Sequence, residues 1–258
     1  MSETNQAHEC DLFLFTSHHP YFADNALKEF AFRGSSNIDG WGIGSYNGGR
    51  ANVLRSADWA LRTGRAVSQE FGIAVQAVCS PVILGHLRLT SRGARRVENN
   101  HPFILNFLDY DWTFIHNGTA MRYRDLVPSG EHLLFNSDND SARVFEFMRK
   151  KLINYYLSDY KKSLIEGCRQ AYQDLLEKDP AGKYNIILSN GYISFVFIHH
   201  RPFYFLRREK STGETALLST LRLTDHEEWV EFDKRPNKKA KMLVLSGPNL
   251  LMNGDVPK

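Results

Sequence analysis

The spacing of apolar residues changes twice along this chain, and this change constrains the fold more than any other feature of the sequence. Up to residue 115 most apolar segments are short and strand-like. From Ser137 the apolar residues recur at helical spacing in two successive segments, and after the turn at 179–182 the strand-like segments return. This order predicts a sheet, a layer of helices and a second sheet, and therefore an α+β fold of packed layers.

The separate segments give this outline its predicted elements. An early helix at 20–30 has one apolar face, formed by Ala23, Ala26, Leu27 and Phe30. The two later helices carry apolar stripes, formed by Val144, Met148, Leu152 and Tyr155 in the first and by Leu164, Cys168 and Leu175 in the second. The later strand-like segments predict successive antiparallel strands joined by tight turns, at 183–189, 192–200, 202–208, 215–220 and 241–246. Since no linker or internal repeat divides the chain, residues 10–258 are predicted to form one domain.

Composition excludes several classes of protein. Lys and Arg number 32 against 29 Asp and Glu, so the net charge of +3 offers no basic field for nucleic acid. Three cysteines are too few and too far apart for a disulfide framework, which predicts a reducing, cytoplasmic setting. The amino terminus lacks the basic and apolar regions of a signal peptide, and the most apolar window, 71–85, is broken by Gln76, Ser80 and Pro81. No membrane association is predicted.

Common motifs for cofactors and metals do not occur. The glycines at 40, 42 and 44 fit neither register of the dinucleotide fingerprint, and no phosphate-loop lysine follows them. None of the isolated or paired histidines has the i, i+4 spacing of a metalloprotease helix, and no G-x-S-x-G segment is present. The sequence therefore predicts neither a cofactor nor a metal.

The segment "FIHNGT" at 114–119 has two interpretations. Asn-Gly between alternating apolar residues is a strong signal for a hairpin turn. Only the upstream flank alternates here, because the residues after Thr119 resemble the first turn of a helix. The alternative is that Asn117 and Gly118 aim amide donors at a ligand.

Six features of the chain occur in one order: Cys10 at the start of a strand, "DGWGIG" (39–44), "GHLRLTSRG" (85–93), "NNHPF" (99–103), "FIHNGT" (114–119) and "NSDNDS" (136–141). In this order and rough spacing the chain resembles the class II glutamine amidotransferases, most of all their short stand-alone members. The resemblance implies an N-terminal-nucleophile (Ntn) hydrolase fold with four layers, αββα, in which two antiparallel sheets lie between helical layers. It also implies a hydrolase acting on the side-chain amide of glutamine or of a small γ-glutamyl compound.

The resemblance assigns catalytic roles to three residues. The thiolate of Cys10 would attack the amide to give a thioester, which water hydrolyses, and a free α-amine on this residue would take the thiol's proton. Asn117 and Gly118 match the family's oxyanion hole, which favours the second interpretation of their segment. Cys10 could instead be a small buried apolar residue, which is what we predict for Cys79 and Cys168.

The resemblance also assigns substrate-binding roles. Arg88 matches the arginine that binds the α-carboxylate of glutamine, and Asp138 matches the acid that binds its α-ammonium group. Ser91 matches a further substrate contact. The alternatives are a surface arginine at a strand end for Arg88 and a helix cap for the Ser137–Asp138 pair.

The chain departs from the family pattern at two points. Cys10 is preceded by nine residues, so removal of Met cannot free its amine, and residues 1–9 are a candidate propeptide. No acceptor domain is recognisable, so ammonia transfer would need a separate acceptor or synthase subunit. Two functions follow: the hydrolase described above, or a catalytically silent sensor or regulatory subunit that binds glutamine or a γ-glutamyl ligand through the same fold.

Overall fold

The computed structural model describes residues 9–62, 66–90, 92–128, 134–158, 163–210, 213–233 and 239–256. The strands of these residues are β1 (Asp11–Phe22), β2 (Trp41–Asn47), β3 (Arg50–Ser56), β4 (Leu61–Arg62), β5 (Ala66–Val67), β6 (Cys79–Leu87), β7 (Phe103–Phe107), β8 (Tyr110–Thr119), β9 (Lys183–Ser189), β10 (Ser194–Ile198), β11 (Phe203–Lys210), β12 (Gly213–Ser219), β13 (Val230–Phe232), β14 (Lys241–Ser246) and β15 (Asn249–Asp255). The α-helices are α1 (Asp24–Arg33), α2 (Gln69–Ala77), α3 (Tyr123–Leu126), α4 (Asp140–Ser158) and α5 (Leu164–Lys178).

Two large antiparallel sheets form the centre of the molecule. One has seven strands in the order β13-β11-β12-β1-β6-β2-β3, and the other has six in the order β15-β14-β10-β9-β8-β7. The prediction of successive neighbouring strands after residue 182 is wrong in part. Strands β9 and β10 pair in the six-stranded sheet, but the chain then crosses to the seven-stranded sheet for β11 to β13 and returns for β14. Local spacing could not reveal this, because strands covered on both faces look alike in either sheet.

Three apolar clusters separate four layers. In β1, Phe13 and Phe15 pack into the cluster shared with α1 and α2, whereas Leu12 and Leu14 pack into the cluster between the two sheets. The third cluster joins the outer face of the six-stranded sheet to α4 and α5. Successive residues of a strand point to opposite faces, so each strand serves two clusters at once. The predicted αββα arrangement is confirmed.

The predicted helical stripes are largely buried. Ala26, Leu27 and Phe30 of α1 are buried. The stripes of α4 and α5 are also buried, except that Tyr155 and Leu164 are only partly covered. Within the described parts of the chain, no helix combines the length and apolarity needed to cross a membrane.

Two sequence predictions fail at element ends. Helix α4 begins at Asp140, and the Asn139 side chain caps it by accepting the N–H of Ala142 at 3.0 Å, so Ser137 and Asp138 are not its cap. Cys168 is buried as predicted, but Cys79 is exposed. It is the first residue of β6 and pairs with the exposed Phe22 where the strand ends.

Candidate active site

Cys10 lies immediately before β1, where the seven-stranded sheet ends. Its sulfur donates to the carbonyl oxygen of Leu89 at 3.3 Å and accepts the N–H of the same residue at 3.4 Å. The register of β1 with β6, in which Asp11 pairs with Leu87, brings these groups together. Burial raises the pKa of the Cys10 thiol to about 12. The thiol is therefore protonated at neutral pH, and nucleophilic attack requires a base.

Asn117 and Gly118 lie inside β8, so the hairpin interpretation of their segment is wrong. They pair with Asn185 and Tyr184 of β9, and the helical turn expected downstream is present as α3. Gly118 has φ +142°, and a Cβ at this position would lie 1.9 Å from the carbonyl oxygen of Lys183. The close approach of two backbones therefore requires glycine here.

The Asn117 side chain joins the six-stranded sheet to Cys10. It is fully buried, and its Nδ2 donates to the carbonyl oxygen of Cys10, 107 positions away in the chain. Its Oδ1 lies 2.9 Å from Nε2 of His200. Burial lowers the pKa of His200, and both neighbours of Nε2 are acceptors, so the neutral ring carries its proton on that atom. His200 thereby fixes which way the Asn117 amide points.

Arg201 and Asp11 form a second set of contacts at Cys10. Arg201 Nη1 donates to the Cys10 carbonyl oxygen at 3.2 Å, and Nη2 lies 3.3 Å from Asp11 Oδ1. Asp11 is almost fully buried and also accepts from Thr220 at 2.9 Å and Asn37 at 2.7 Å. Burial raises the pKa of Asp11, while Arg201 and these two hydrogen bonds oppose the rise.

A buried asparagine positions the chain segment that carries His200 and Arg201. Asn185 Oδ1 accepts the backbone N–H groups of His199 and His200 at 2.9 and 3.1 Å, and its Nδ2 donates to the Arg201 carbonyl at 2.8 Å. Sequence reasoning missed Asp11, His200 and Arg201. Asn185, a polar residue directly before three apolar residues, was a signal that this segment has polar partners, because buried amides require them, but it did not identify those partners.

Arg88 is buried and holds the loop that follows it. Its guanidinium donates to Asn100 Oδ1 and the Ala94 carbonyl, both at 3.1 Å, and to the Arg92 carbonyl at 3.3 Å. Burial lowers the pKa of Arg88. It is therefore not a surface arginine, and it stands directly before Leu89, which contacts the Cys10 sulfur.

Asp138 lies against the same loop. Its Oδ1 accepts from Asn99 Nδ2 at 2.6 Å, and its Oδ2 lies 3.4 Å from Arg96 Nη2. Gly93 has φ +78°, and a Cβ there would lie 2.8 Å from Asp138 Oδ1. About half of the Asp138 side chain remains exposed, so its carboxylate faces solvent beside the loop.

The structure brings most of the predicted residues to one region. Cys10 contacts Asn117, the residue before Gly118, where the two sheets end. Arg88 and Asp138 are linked to Cys10 through Leu89 and through the loop at 92–100. Ser91 and residues 1–8 lie outside the described residues. In the described ranges, no group of three His, Cys, Asp or Glu side chains is arranged to hold a metal ion.

Comparisons with known proteins concern the family and the fold of the chain. The family model described as "Glutamine amidotransferases class-II" matches residues 10–255. An uncharacterized protein of Methanocaldococcus jannaschii is 27% identical over 199 residues, which are 74% of this chain but only 52% of that protein.

Solved structures show the same fold. A protein described as a predicted glutamine amidotransferase from Pseudomonas aeruginosa superposes with a TM-score of 0.63 at 18% identity, covering 94% of this chain and all of the other. Glutamine phosphoribosylpyrophosphate amidotransferase from B. subtilis gives a TM-score of 0.67 at 15% identity, covering 96% of this chain and 49% of that one.

Proposed function

This chain belongs to the class II glutamine amidotransferases, and on that premise we propose that it hydrolyses the side-chain amide of glutamine or of a small γ-glutamyl compound through a thioester on Cys10. The observation that carries the proposal is the meeting of Cys10 with Asn117, a residue from the opposite sheet, at the end of both sheets. Nucleophile and amide donor are the pair that acyl transfer requires.

In this proposal the base is the α-amine of Cys10 itself. The thiol's raised pKa means that a proton must be removed before attack. An α-amine has an ordinary pKa of about 7.7–8.0, so a useful fraction is neutral at physiological pH. While Glu9 is attached, this nitrogen is an amide and cannot accept the proton. The active form therefore begins at Cys10, and residues 1–9 are a propeptide.

Asn117 and Gly118 would stabilise the oxyanion. The Asn117 Nδ2 donor already contacts the residue whose sulfur attacks. When that sulfur bonds to the amide carbon of the substrate, the former carbonyl oxygen becomes an oxyanion, which would compete with the Cys10 carbonyl for this donor. Donors of this kind contribute about 2.7–4 kcal/mol to transition-state stabilisation. The hydrogen bond from His200 to Asn117 Oδ1 keeps the Nδ2 donor directed toward Cys10.

Arg88 and Asp138 would bind the amino-acid end of the substrate. Asp138 is about half exposed, but its two oxygens already contact Asn99 and Arg96, so an ammonium group would have to share these contacts or replace one of them. Arg88 uses Nη1 and Nη2 on the loop at 92–100, so carboxylate binding would require it to exchange part of that contact for the substrate. We extend the proposal to Ser91 as a further contact and to an acceptor site on another domain or subunit for the ammonia released.

One observation favours the second candidate function, a glutamine-binding subunit without catalysis. The side chain of Glu9, the residue joined to the Cys10 nitrogen, is held by hydrogen bonds from Lys183 and His200. A chain that kept this linkage would retain the fold and the substrate-binding residues but lack the base.

A turnover screen distinguishes the two functions. The purified chain is incubated with glutamine and a panel of γ-glutamyl amides, and ammonia or amine release is measured beside binding of the same compounds. The hydrolase releases glutamate and ammonia in equal amounts, and Cys10→Ser abolishes release without abolishing binding. Binding without release by a chain that retains residues 1–9 would support the sensor instead, and binding without release by a chain that begins at Cys10 would refute the proposed hydrolase.

A further inference from the structure

The residue before the nucleophile is held by its own side chain. Glu9 Oε1 lies 2.9 Å from Lys183 Nζ, and Glu9 Oε2 lies 2.7 Å from His200 Nε2. Burial opposes the charge of this carboxylate, but the hydrogen bonds from His200 and Lys183 outweigh it and lower its pKa to about 2. Glu9 is therefore an ion bound by two donors, although it belongs to the segment that the proposed function discards.

The backbones of both donor residues are fixed by the six-stranded sheet. Lys183 is the first residue of β9 and pairs with Thr119 at the end of β8, and its carbonyl lies 2.9 Å from His116 Nε2. The backbone of His200 is held by the buried Asn185, as described above. The carboxylate of Glu9 is thus bound to a rigid part of the molecule.

The Glu9–Cys10 peptide bond is consequently held at both ends. On its amino side, Lys183 and His200 bind the Glu9 carboxylate. On its carboxyl side, Asn117 and Arg201 bind the carbonyl oxygen of Cys10. Holding both neighbours of a bond limits its motion relative to the adjacent thiol, and such restriction is how intramolecular reactions gain rate.

We propose that Lys183 and His200 form a carboxylate-binding site for the residue that precedes the nucleophile, and that occupation of this site by Glu9 positions the Glu9–Cys10 bond for cleavage by the Cys10 thiol. The proposal rests on the proposed function, in which Cys10 must become the first residue. Lys183 and His200 are positioning residues in this step, since neither touches the atoms that react.

The cleavage step balances without a further reactant except water. The Cys10 sulfur bonds to the carbonyl carbon of Glu9, the carbon–nitrogen bond breaks, and the thiol proton ends on the freed nitrogen. Water then hydrolyses the thioester, which restores the thiol and leaves a carboxyl group on Glu9. The products are residues 1–9 and a chain that begins with a free α-amine.

Release of Glu9 also changes the surroundings of Asn117. In the uncleaved chain the single Nε2 proton of His200 is shared between Glu9 Oε2 and Asn117 Oδ1. Once Glu9 has left, Asn117 alone receives it. The same event therefore frees the amine and completes the hydrogen bond that orients the Asn117 amide.

Variants of Glu9 are the sharpest test of the proposal. Cleavage removes residue 9 itself, so the processed chain of each Glu9 variant is identical to that of the parent. The full-length chain, Glu9→Gln and the control Glu214→Gln are synthesised in a cell-free system, and the fraction beginning at Cys10 is followed by intact mass. Glu214 is a matched control because it also forms an ion pair, with Arg207. It lies at the start of β12, at the opposite end of that strand from Ser219, which pairs with β1. We expect Glu9→Gln to lose residues 1–9 about tenfold more slowly, as loss of a hydrogen bond to a charged group predicts, and Glu214→Gln to match the full-length chain.

A charge exchange adds a second variant. Lys183→Glu should slow cleavage, and combining it with Glu9→Lys should restore part of the rate by re-forming the ion pair. Cleavage of Glu9→Gln at or above the parent rate would overturn the proposal, since the site would then be neutral or would protect the bond. Failure of the unsubstituted chain to lose residues 1–9 would also overturn it.

A chain that starts Met-Cys10 separates this proposal from the proposed function. Removal of Met gives the active form without any role for Glu9. If that chain hydrolyses glutamine while Glu9→Gln is processed normally, only the carboxylate site fails. If that chain binds glutamine but does not hydrolyse it, the proposed function fails.

Discussion

Arg201→Met should destabilise the protein by about 2–3 kcal/mol at pH 8. Arg201 donates to the Cys10 carbonyl and pairs with Asp11, whose side chain is only 5% exposed. Removing one partner of a buried ion pair costs about 3–5 kcal/mol. We take a value at or below the lower end of that range, because Arg201 is 19% exposed and Asp11 keeps its hydrogen bonds from Thr220 and Asn37. For a chain of this size the loss corresponds to a fall in Tm of roughly 4–12 °C.

The deficit should shrink as the pH falls. Burial already raises the pKa of Asp11 in the folded chain, and loss of the Arg201 cation would raise it further. A carboxyl group with a raised pKa favours folding at low pH, where it is protonated, and this contribution is lost as the pH rises through its folded pKa. The protonated Asp11 needs no cation, so only the loss of the hydrogen bond to Cys10 remains at low pH.

Urea unfolding at several pH values between 5 and 8 provides the measurement. All chains carry Cys10→Ala, which removes the proposed nucleophile and keeps the amino terminus uniform. Arg201→Lys is the matched control, since it keeps the charge but not the fork that reaches both Cys10 and Asp11, and it should lose less stability. In an Asp11→Asn background Arg201→Met should cost less than in the parent. A deficit that is constant or grows toward low pH would refute the reasoning about Asp11.

Other expectations concern the chemistry of the site. Arg88→Lys and Asp138→Asn should each lower kcat/KM for glutamine. If one charge-assisted hydrogen bond is lost, the fall should correspond to about 1.5–3 kcal/mol of lost transition-state stabilisation. Parent values of kcat/KM from both variants would mean that the substrate pocket lies elsewhere. Asn117→Ala should lower kcat by about 10²–10³ with a smaller change in KM, measured by ammonia release, and an unchanged kcat would remove it from the oxyanion hole. In a chain that retains Glu9, the rate of Cys10 alkylation, followed by mass spectrometry, should rise about tenfold per pH unit, because only the thiolate reacts and the pKa of the thiol is about 12. A plateau of this rate near pH 8 would contradict the raised pKa.

The sequence predicted the parts of the fold that depend on local spacing. The stripes of α1, α4 and α5 and most strand segments are where the apolar residues indicated. The Asn117–Gly118 pair shows the limit: the same two residues fit a turn or the interior of β8, and only pairing with β9 decides between them. For the same reason, local spacing could not predict the order of the strands, because packing across the whole sheet determines which strands pair.

The candidate site was predictable only where motifs carried it. Cys10, Arg88, Asn117 and Asp138 stand in recognisable segments. Arg201, by contrast, reaches Cys10 across 191 positions, and nothing in the letters "HHRPF" indicates that contact. Such pairs arise because the start of β1 and the segment after β10 lie at the same end of two facing sheets. This proximity is a result of tertiary structure and leaves no periodic pattern in the sequence.

The central claim is that Cys10 acts as an amino-terminal nucleophile. It is tested most directly by measuring glutamine hydrolysis and the intact mass of the same purified sample. We expect the activity to rise in proportion to the fraction of chains that begin at Cys10, and Cys10→Ala to retain residues 1–9 and release no ammonia. Full glutaminase activity from chains that demonstrably keep residues 1–9 would contradict the claim, because the Cys10 nitrogen would then be an amide and some other group would have to serve as the base.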